Sequence, residues 1–143
     1  MLEEAQRWAA ERGLAERTRY IEGDFVFLSE PIETADITLL DKVVCCYPDA
    51  DVLIGRALEK TRRVVALTYP RDRWLVRVGI FLGGCAMRLI RSSFRPYLHH
   101  PVQIQDRILR AGFEKRYEGS TWIWLTQVFV CASSGATEDP RCE

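Results

Sequence analysis

Apolar and polar positions along the chain change period several times, and each change marks an element. Over residues 2–16, Leu2, Ala5, Trp8 and Ala9 fall along one side of a helix, and Gly13 supplies a C-terminal stop. Arg19-Tyr20-Ile21-Glu22 alternates like a short strand and ends at Gly23-Asp24-Phe25. Residues 35–40 (ADITLL) and 64–68 (VVALT) are compact apolar runs, followed by Asp41 and by Tyr69-Pro70. They are predicted as strands covered on both faces, as parallel strands under crossover helices are. Between them, residues 50–60 put Val52, Leu53, Ala57 and Leu58 on one helical face, so strand, helix and strand form a right-handed crossover unit.

The second half reads differently. Residues 72–91 form a longer helix or helix pair, loosened by Gly79 and Gly83-Gly84. Pro101 opens one more helix and Gly112 closes it. A strand over 113–117, a turn at Gly119-Ser120 and a strand over 121–131 (TWIWLTQVFVC) make an antiparallel hairpin, with Trp122 and Trp124 on one face. Residues 133–143 are polar, contain Pro140 and read as a frayed tail. Parallel units that finish in an antiparallel hairpin predict an α/β fold, with one domain over 1–131 and a tail from 132 to 143.

Composition narrows the function classes. A length of 143 residues, 48% apolar and 28% charged, suits one ordinary domain and excludes wholesale disorder or a need for disulfide stapling. Twenty Lys plus Arg balance 20 Asp plus Glu, so no bulk field recommends nucleic acid or an anionic membrane as partner. Five cysteines lack paired spacing, and Cys45 and Cys46 are neighbours that hardly bridge in an ordinary strand or helix. That usage predicts a reducing, cytoplasmic setting. Met1-Leu2-Glu3-Glu4 is unlike the start of a secretory signal, and the longest apolar tract, Val78 to Met87, is ten residues where a span needs about 20.

With these elements placed, the residues resemble a known family. The stretch MLEEAQRWAAERGLAERTRYIEGDF is similar to the second helix, third strand and following acidic loop of the class I S-adenosylmethionine-dependent methyltransferases. ADITLLDKVVCCYPD resembles that family's fourth strand and active-site loop, RRVVALTYPRDRW its fifth strand and exit, and the final hairpin its reversed last strand. LDKVVCCYPD and YPRDRW are most like small-molecule enzymes of the magnesium-protoporphyrin O-methyltransferase type. The resemblance runs from Met1 to Cys131 and implies a Rossmann-like sheet containing family strands three to seven.

One departure accompanies it. The family's first strand, its glycine-rich turn and the acid ending its second strand have no counterpart in the sequence, since Gly83-Gly84 lies inside a late helical pattern. A glycine turn lets the backbone approach the cofactor, and the acid accepts the ribose hydroxyls. In the family's strand order, three-two-one-four-five-seven-six, the two missing strands are central. The expectation is therefore an N-terminally truncated chain, with Met1 an internal methionine of a longer protein. Its four-five-seven-six sheet would have a bare edge open to a second copy.

The resemblance also implies roles. S-adenosylmethionine would be the cofactor, with no metal and a small-molecule methyl acceptor. Asp24 would accept from the adenine amino group with Phe25 against the ring, while Leu40, Asp41 and Lys42 would border the cofactor's amino-acid end. Tyr47, Arg71, Trp74 and His99 would border the acceptor, with His99 as general base and Tyr47 as donor. Each has a plainer reading: a Gly-Asp turn with a core Phe for Asp24 and Phe25, a dipole-stabilised helix-start acid for Asp41, a solvated helix start for Arg71 and a loop or capping imidazole for His99. Cys45 and Cys46 have the wrong spacing for zinc and read as apolar filling. Two rival functions stay open: a non-catalytic remnant or interaction module, and a peripheral lipid-surface module built on residues 74–91.

Overall fold

The computed structural model describes residues 2–74, 76, 78, 79, 82, 88, 89, 97 and 99–132. Helix α1 (Leu2–Glu11) ends where Gly13, at φ +67°, enters the left-handed region. There the Leu14 amide donates to the Ala9 carbonyl at 2.8 Å and the Gly13 amide to Ala10 at 3.1 Å, a doubly bonded helix stop. The helix therefore closes at Glu11 instead of continuing to 16. Residues 19–22, expected as a strand, have none of its structure. A strand exists only within a ladder, and the sheet offers this segment no neighbour.

After a one-turn helix α2 (Phe25–Leu28), the chain forms strand β1 (Ala35–Asp41), helix α3 (Ala50–Glu59) and strand β2 (Thr61–Pro70). Helix α4 (Pro101–Arg110) then leads into β3 (Phe113–Ser120) and β4 (Trp124–Cys131). The sheet order is β1-β2-β4-β3, with β1 and β2 parallel and the other two pairs antiparallel. The α/β class, the crossover unit and the closing hairpin are all present.

Helices α3 and α4 cover the same face of the sheet. Ala50, Leu53, Ile54, Ala57 and Leu58 recur at helical spacing and meet Leu40, Val65, Leu67, Ile104, Ile108 and Phe129 in one core. Val52, expected on that stripe, is exposed, because the spacing set from Ala50 gives the place to Ile54. Asp49 caps α3, its carboxylate accepting from the Val52 amide at 3.1 Å.

The opposite face corrects a second expectation. β1 is not covered on both sides: Ile37 and Leu39 are 65% and 66% exposed, while Leu40, on the helix-facing side, is 8% exposed. The hairpin turn also lies later than Gly119-Ser120. Strand β3 runs through Ser120, and Thr121 makes the turn by giving its amide to the Trp124 carbonyl and accepting the Trp124 amide on Oγ1 at 3.0 Å. Trp122 is consequently an exposed turn residue and does not share a strand face with Trp124. Cys131 is disulfide-bonded, which departs from the expectation of unpaired cysteines. Trp74, Val76, Val78, Gly79, Leu82, Arg88 and Leu89 have helical backbone. The rest of the 74–91 surface, including Gly83-Gly84, and the tail from 133 lie outside the described residues.

Candidate functional site

The loops that leave the strands at one end of the sheet hold most of the predicted site residues, and the geometry brings three of them together. Gly23 sits at φ +141°, where an added Cβ would run into Leu28. This bend presents Asp24 as the cap of α2, its Oδ1 accepting from the Val26 amide at 2.9 Å. The same carboxylate accepts the Tyr47 hydroxyl, at 3.1 Å on Oδ2. Desolvation first, then Asp24 as acceptor and charge, then Asp49, push the Tyr47 phenol above its ordinary value. On its other side, the Tyr47 carbonyl lies 2.9 Å from His99 Nε2. A carbonyl only accepts, so Nε2 carries the proton and Nδ1 is the basic nitrogen of the neutral ring.

The other predicted residues are engaged elsewhere. Phe25 is half-buried and packs against the core, while Leu40 is part of it. Asp41 is exposed at the end of β1. Lys42 adopts φ +58° while its amide donates to the Thr68 carbonyl at 2.9 Å. Its ammonium lies 5.1 Å from the centre of the Trp124 ring, which turns this cation toward the hairpin. Arg71 likewise serves the hairpin, with its amide donating to Ile123 and its Nη1 to the Thr121 carbonyl at 3.1 Å. Trp74 is exposed, and His100 pairs with Asp72 at 3.3 Å.

Beside His99 lies an open groove of about 410 Å³ between the start of α3 and the length of α4, lined by Asp49, Asp51, Ile54, Gln103, Arg107 and Arg110 among others. Arg107 Nε stands 3.2 Å from Asp51 Oδ1 without the alignment of a hydrogen bond, so the pair is a charge contact. Sequence reasoning missed this groove. Pro48-Asp49 signals a helix start, but Arg107 and Arg110 lie on a helix whose position depends on tertiary packing. Asp24, Phe25, Asp41 and Lys42 do not line it. The carboxylate of Asp24 retains acceptor capacity for an amino group.

A second unpredicted feature is a polar network under α4. The buried Gln127 accepts the Tyr69 hydroxyl at 2.6 Å and donates to Glu118 at 2.8 Å, which also accepts from Lys115 Nζ at 2.8 Å. Lys115 and Gln127, as hydrogen-bond donors, hold the Glu118 carboxyl below its ordinary range, and burial pushes the Tyr69 phenol far above its own.

The strand order with its reversed last strand is that of the four-five-seven-six half of the class I methyltransferase fold. Solved structures agree. The magnesium protoporphyrin IX methyltransferase of Synechocystis PCC 6803 with bound SAH superimposes with a TM-score of 0.62 at 18% identity, over 84% of this chain and 59% of that one. An O-methyltransferase family protein from Burkholderia thailandensis gives 0.68 at 17% identity, over 91% and 40%. The O-methyltransferase family 2 protein of Planctomyces limnophilus DSM 3776, in complex with apigenin, gives 0.68 at 16%, over 92% and 40%. The chain thus spans between 40% and 59% of the length of these neighbours. No family model and no curated protein sequence matches it. Among the described residues no helix is long and apolar enough to cross a membrane.

Proposed function

We propose that residues 1–131 are the back portion of an S-adenosylmethionine-dependent small-molecule methyltransferase, one whose glycine-rich cofactor half lies outside these 143 residues. The observation that supports it most is the convergence of Asp24, Tyr47 and His99, on three separate loops, through hydrogen bonds of 3.1 and 2.9 Å. When bound, the cofactor supplies the activated methyl group, and the chain supplies orientation and a base. Asp24 receives the adenine amino group, Asp41 the cofactor's ammonium, and the basic Nδ1 of His99 the acceptor's proton. Tyr47 holds both loops in register. Arg71 and Trp74 border the acceptor, Phe25 lies against the adenine ring, Leu40 and Lys42 border the cofactor's amino-acid end, and no metal takes part. Residues 132–143 are a tail. We assign the chain to the cytoplasm on its Cys45 and Cys46 thiols; the bonded Cys131 is the observation that weighs against it.

Calorimetric titration with S-adenosylhomocysteine tests the reading. The 143-residue chain alone should bind weakly or not at all, and a chain extended by a strand and glycine turn should bind with micromolar affinity that Asp24→Ala weakens. Tight binding by the short chain, or no effect of Asp24→Ala in the extended one, would overturn it.

The bare outer face of β1 supports a second reading, a non-catalytic module that pairs through its sheet edge. Size-exclusion at two concentrations should then show a concentration-dependent mass that Leu39→Lys reduces. A strictly monomeric chain excludes this reading.

A further inference from the structure

The turn between β1 and α3 carries two adjacent thiols that the proposed function leaves unused. Residues Val44–Cys46 form a single 3-10 turn, and it directs both sulfurs the same way. Cys45 Sγ and Cys46 Sγ are 3.8 Å apart, and both lie against the Lys42 carbonyl, at 3.3 and 3.5 Å. Cys45 is buried while Cys46 is exposed, so the pair has one sulfur for solvent and one behind it. The backbone around them is anchored: the Cys45 carbonyl accepts the Tyr97 amide at 2.7 Å, and the Tyr47 carbonyl faces His99.

We propose that Cys45 and Cys46 are a reversible modification site, where a low-molecular-weight disulfide is reduced and a vicinal Cys45–Cys46 disulfide forms. The Cys46 thiolate attacks one sulfur of the reagent, forming a mixed disulfide and releasing one thiolate. The Cys45 thiolate then attacks Cys46 Sγ, closing the vicinal bond and releasing the second. Two protein thiols are oxidised, one external disulfide is reduced, and the two protons end on the two released thiols. The sulfurs move from 3.8 Å to about 2.05 Å, which takes side-chain rotation together with distortion of the peptide between the two cysteines. Adjacent Cα atoms across a trans peptide are about 3.8 Å apart, closer than a relaxed disulfide spans, so the bond is easily reduced again and suits a switch better than a staple. Its position between Lys42 and Tyr47 would let oxidation act on the candidate site. That consequence rests on the methyltransferase reading, whereas formation of the bond does not.

Burial pushes the Cys45 thiol up to about 11 from an ordinary 9.0, with the neighbouring Cys46 adding to the shift. The buried Cys45 therefore has less thiolate available than an ordinary thiol, and the exposed Cys46 makes the first attack. The test treats the native 143-residue chain with oxidised glutathione, quenches with acid, blocks remaining thiols with N-ethylmaleimide and then digests with trypsin at neutral pH. Both cysteines fall in the peptide of residues 43–56 (VVCCYPDADVLIGR), apart from every other cysteine. That peptide should appear two hydrogens lighter and return to its original mass with dithiothreitol. Cys45→Ser should stall as a glutathione adduct on Cys46, and Cys46→Ser should react several-fold more slowly than Cys45→Ser, since its remaining thiol is the buried one. A lasting glutathione adduct on the native chain, an unoxidised peptide, or equal rates for the two variants would overturn the proposal.

Discussion

β1 and β2 are neighbours in parallel register from Ala35 to Asp41, and their sequences are alike in apolar content, yet they live in different surroundings. β2 has β1 on one side and β4 on the other, and its Val65, Leu67 and Tyr69 are sealed beneath α3 and α4. Among the described residues β1 has one neighbour, and two of its large apolar side chains, Ile37 and Leu39, face outward uncovered. Leaving those two uncovered forgoes on the order of 1–2 kcal/mol each. An alternating half-buried edge strand would carry polar residues at 37 and 39, as edges that avoid pairing do. β1 is instead composed like an interior strand. That mismatch is the physical ground for expecting a cover over the outer face of β1.

The sharpest way to break this comparison is to truncate the same side chain in both strands. Leu67→Ala should cost about 2–5 kcal/mol of unfolding free energy, since Leu67 is fully buried and leaves a cavity. Leu39→Ala should cost no more than about 0.5 kcal/mol. Denaturant titration with matched slopes measures both. Equal losses would mean that the outer face of β1 is covered in solution.

Much of this was legible from local pattern. The run from Ala50 to Leu58, the Pro101 start and the Gly13 and Gly112 stops are decided within one or two turns of chain, and all appear where expected. What failed depended on partners distant in sequence. Residues 19–22 alternate correctly but have no strand beside them, and period alone cannot supply one. The hairpin turn moved because the Thr121 hydroxyl accepts the Trp124 amide, a competition that favours Thr over the Gly119-Ser120 signal. In the candidate site, Asp24 and Tyr47 were both legible as loop residues, but their hydrogen bond joins positions 23 residues apart. Gln127 read as one polar residue in an apolar strand, and only the fold reveals Tyr69 and Glu118 on either side of it.

That network makes the next test, because it ties the well-covered strands β2, β4 and β3 together through a buried glutamine, whereas β1 is tied to β2 by the Thr61–Thr38 hydroxyls at 2.6 Å and the Arg62–Asp36 pair at 3.2 Å. Gln127→Ala strands the buried Tyr69 hydroxyl and should cost about 1–3 kcal/mol. The Glu118 contribution is smaller, since its side chain is about half exposed and solvent screens it. Its carboxyl is lowered from 4.5 in the folded chain, so its stabilisation is present above that value and is lost as pH falls through the lower, folded one. Stability profiles of the chain and of Glu118→Gln should therefore converge in acid and separate above it. Parallel profiles at every pH would show that Glu118 is not coupled to folding.

The smallest expected effect lies at the bare end of the comparison, where Asp24 and Tyr47 join the α2 loop to the turn after β1. Asp24→Asn keeps the α2 cap, because the amide oxygen still accepts the Val26 amide. It removes the negative charge that helps keep the Tyr47 phenol neutral. A phenol raised in the folded state stabilises the fold fully below its ordinary 10.0 and ceases to do so as pH rises through the folded value. Phenolate absorbance, taken as the difference between each chain and its Tyr47→Phe counterpart, should show Tyr47 titrating at lower pH in Asp24→Asn. The shift should fall short of the ordinary value, since desolvation, the largest cause, and the charge of Asp49 both remain. An unchanged midpoint would separate the two loops, and with them the convergence of Asp24, Tyr47 and His99 that the methyltransferase reading relies on.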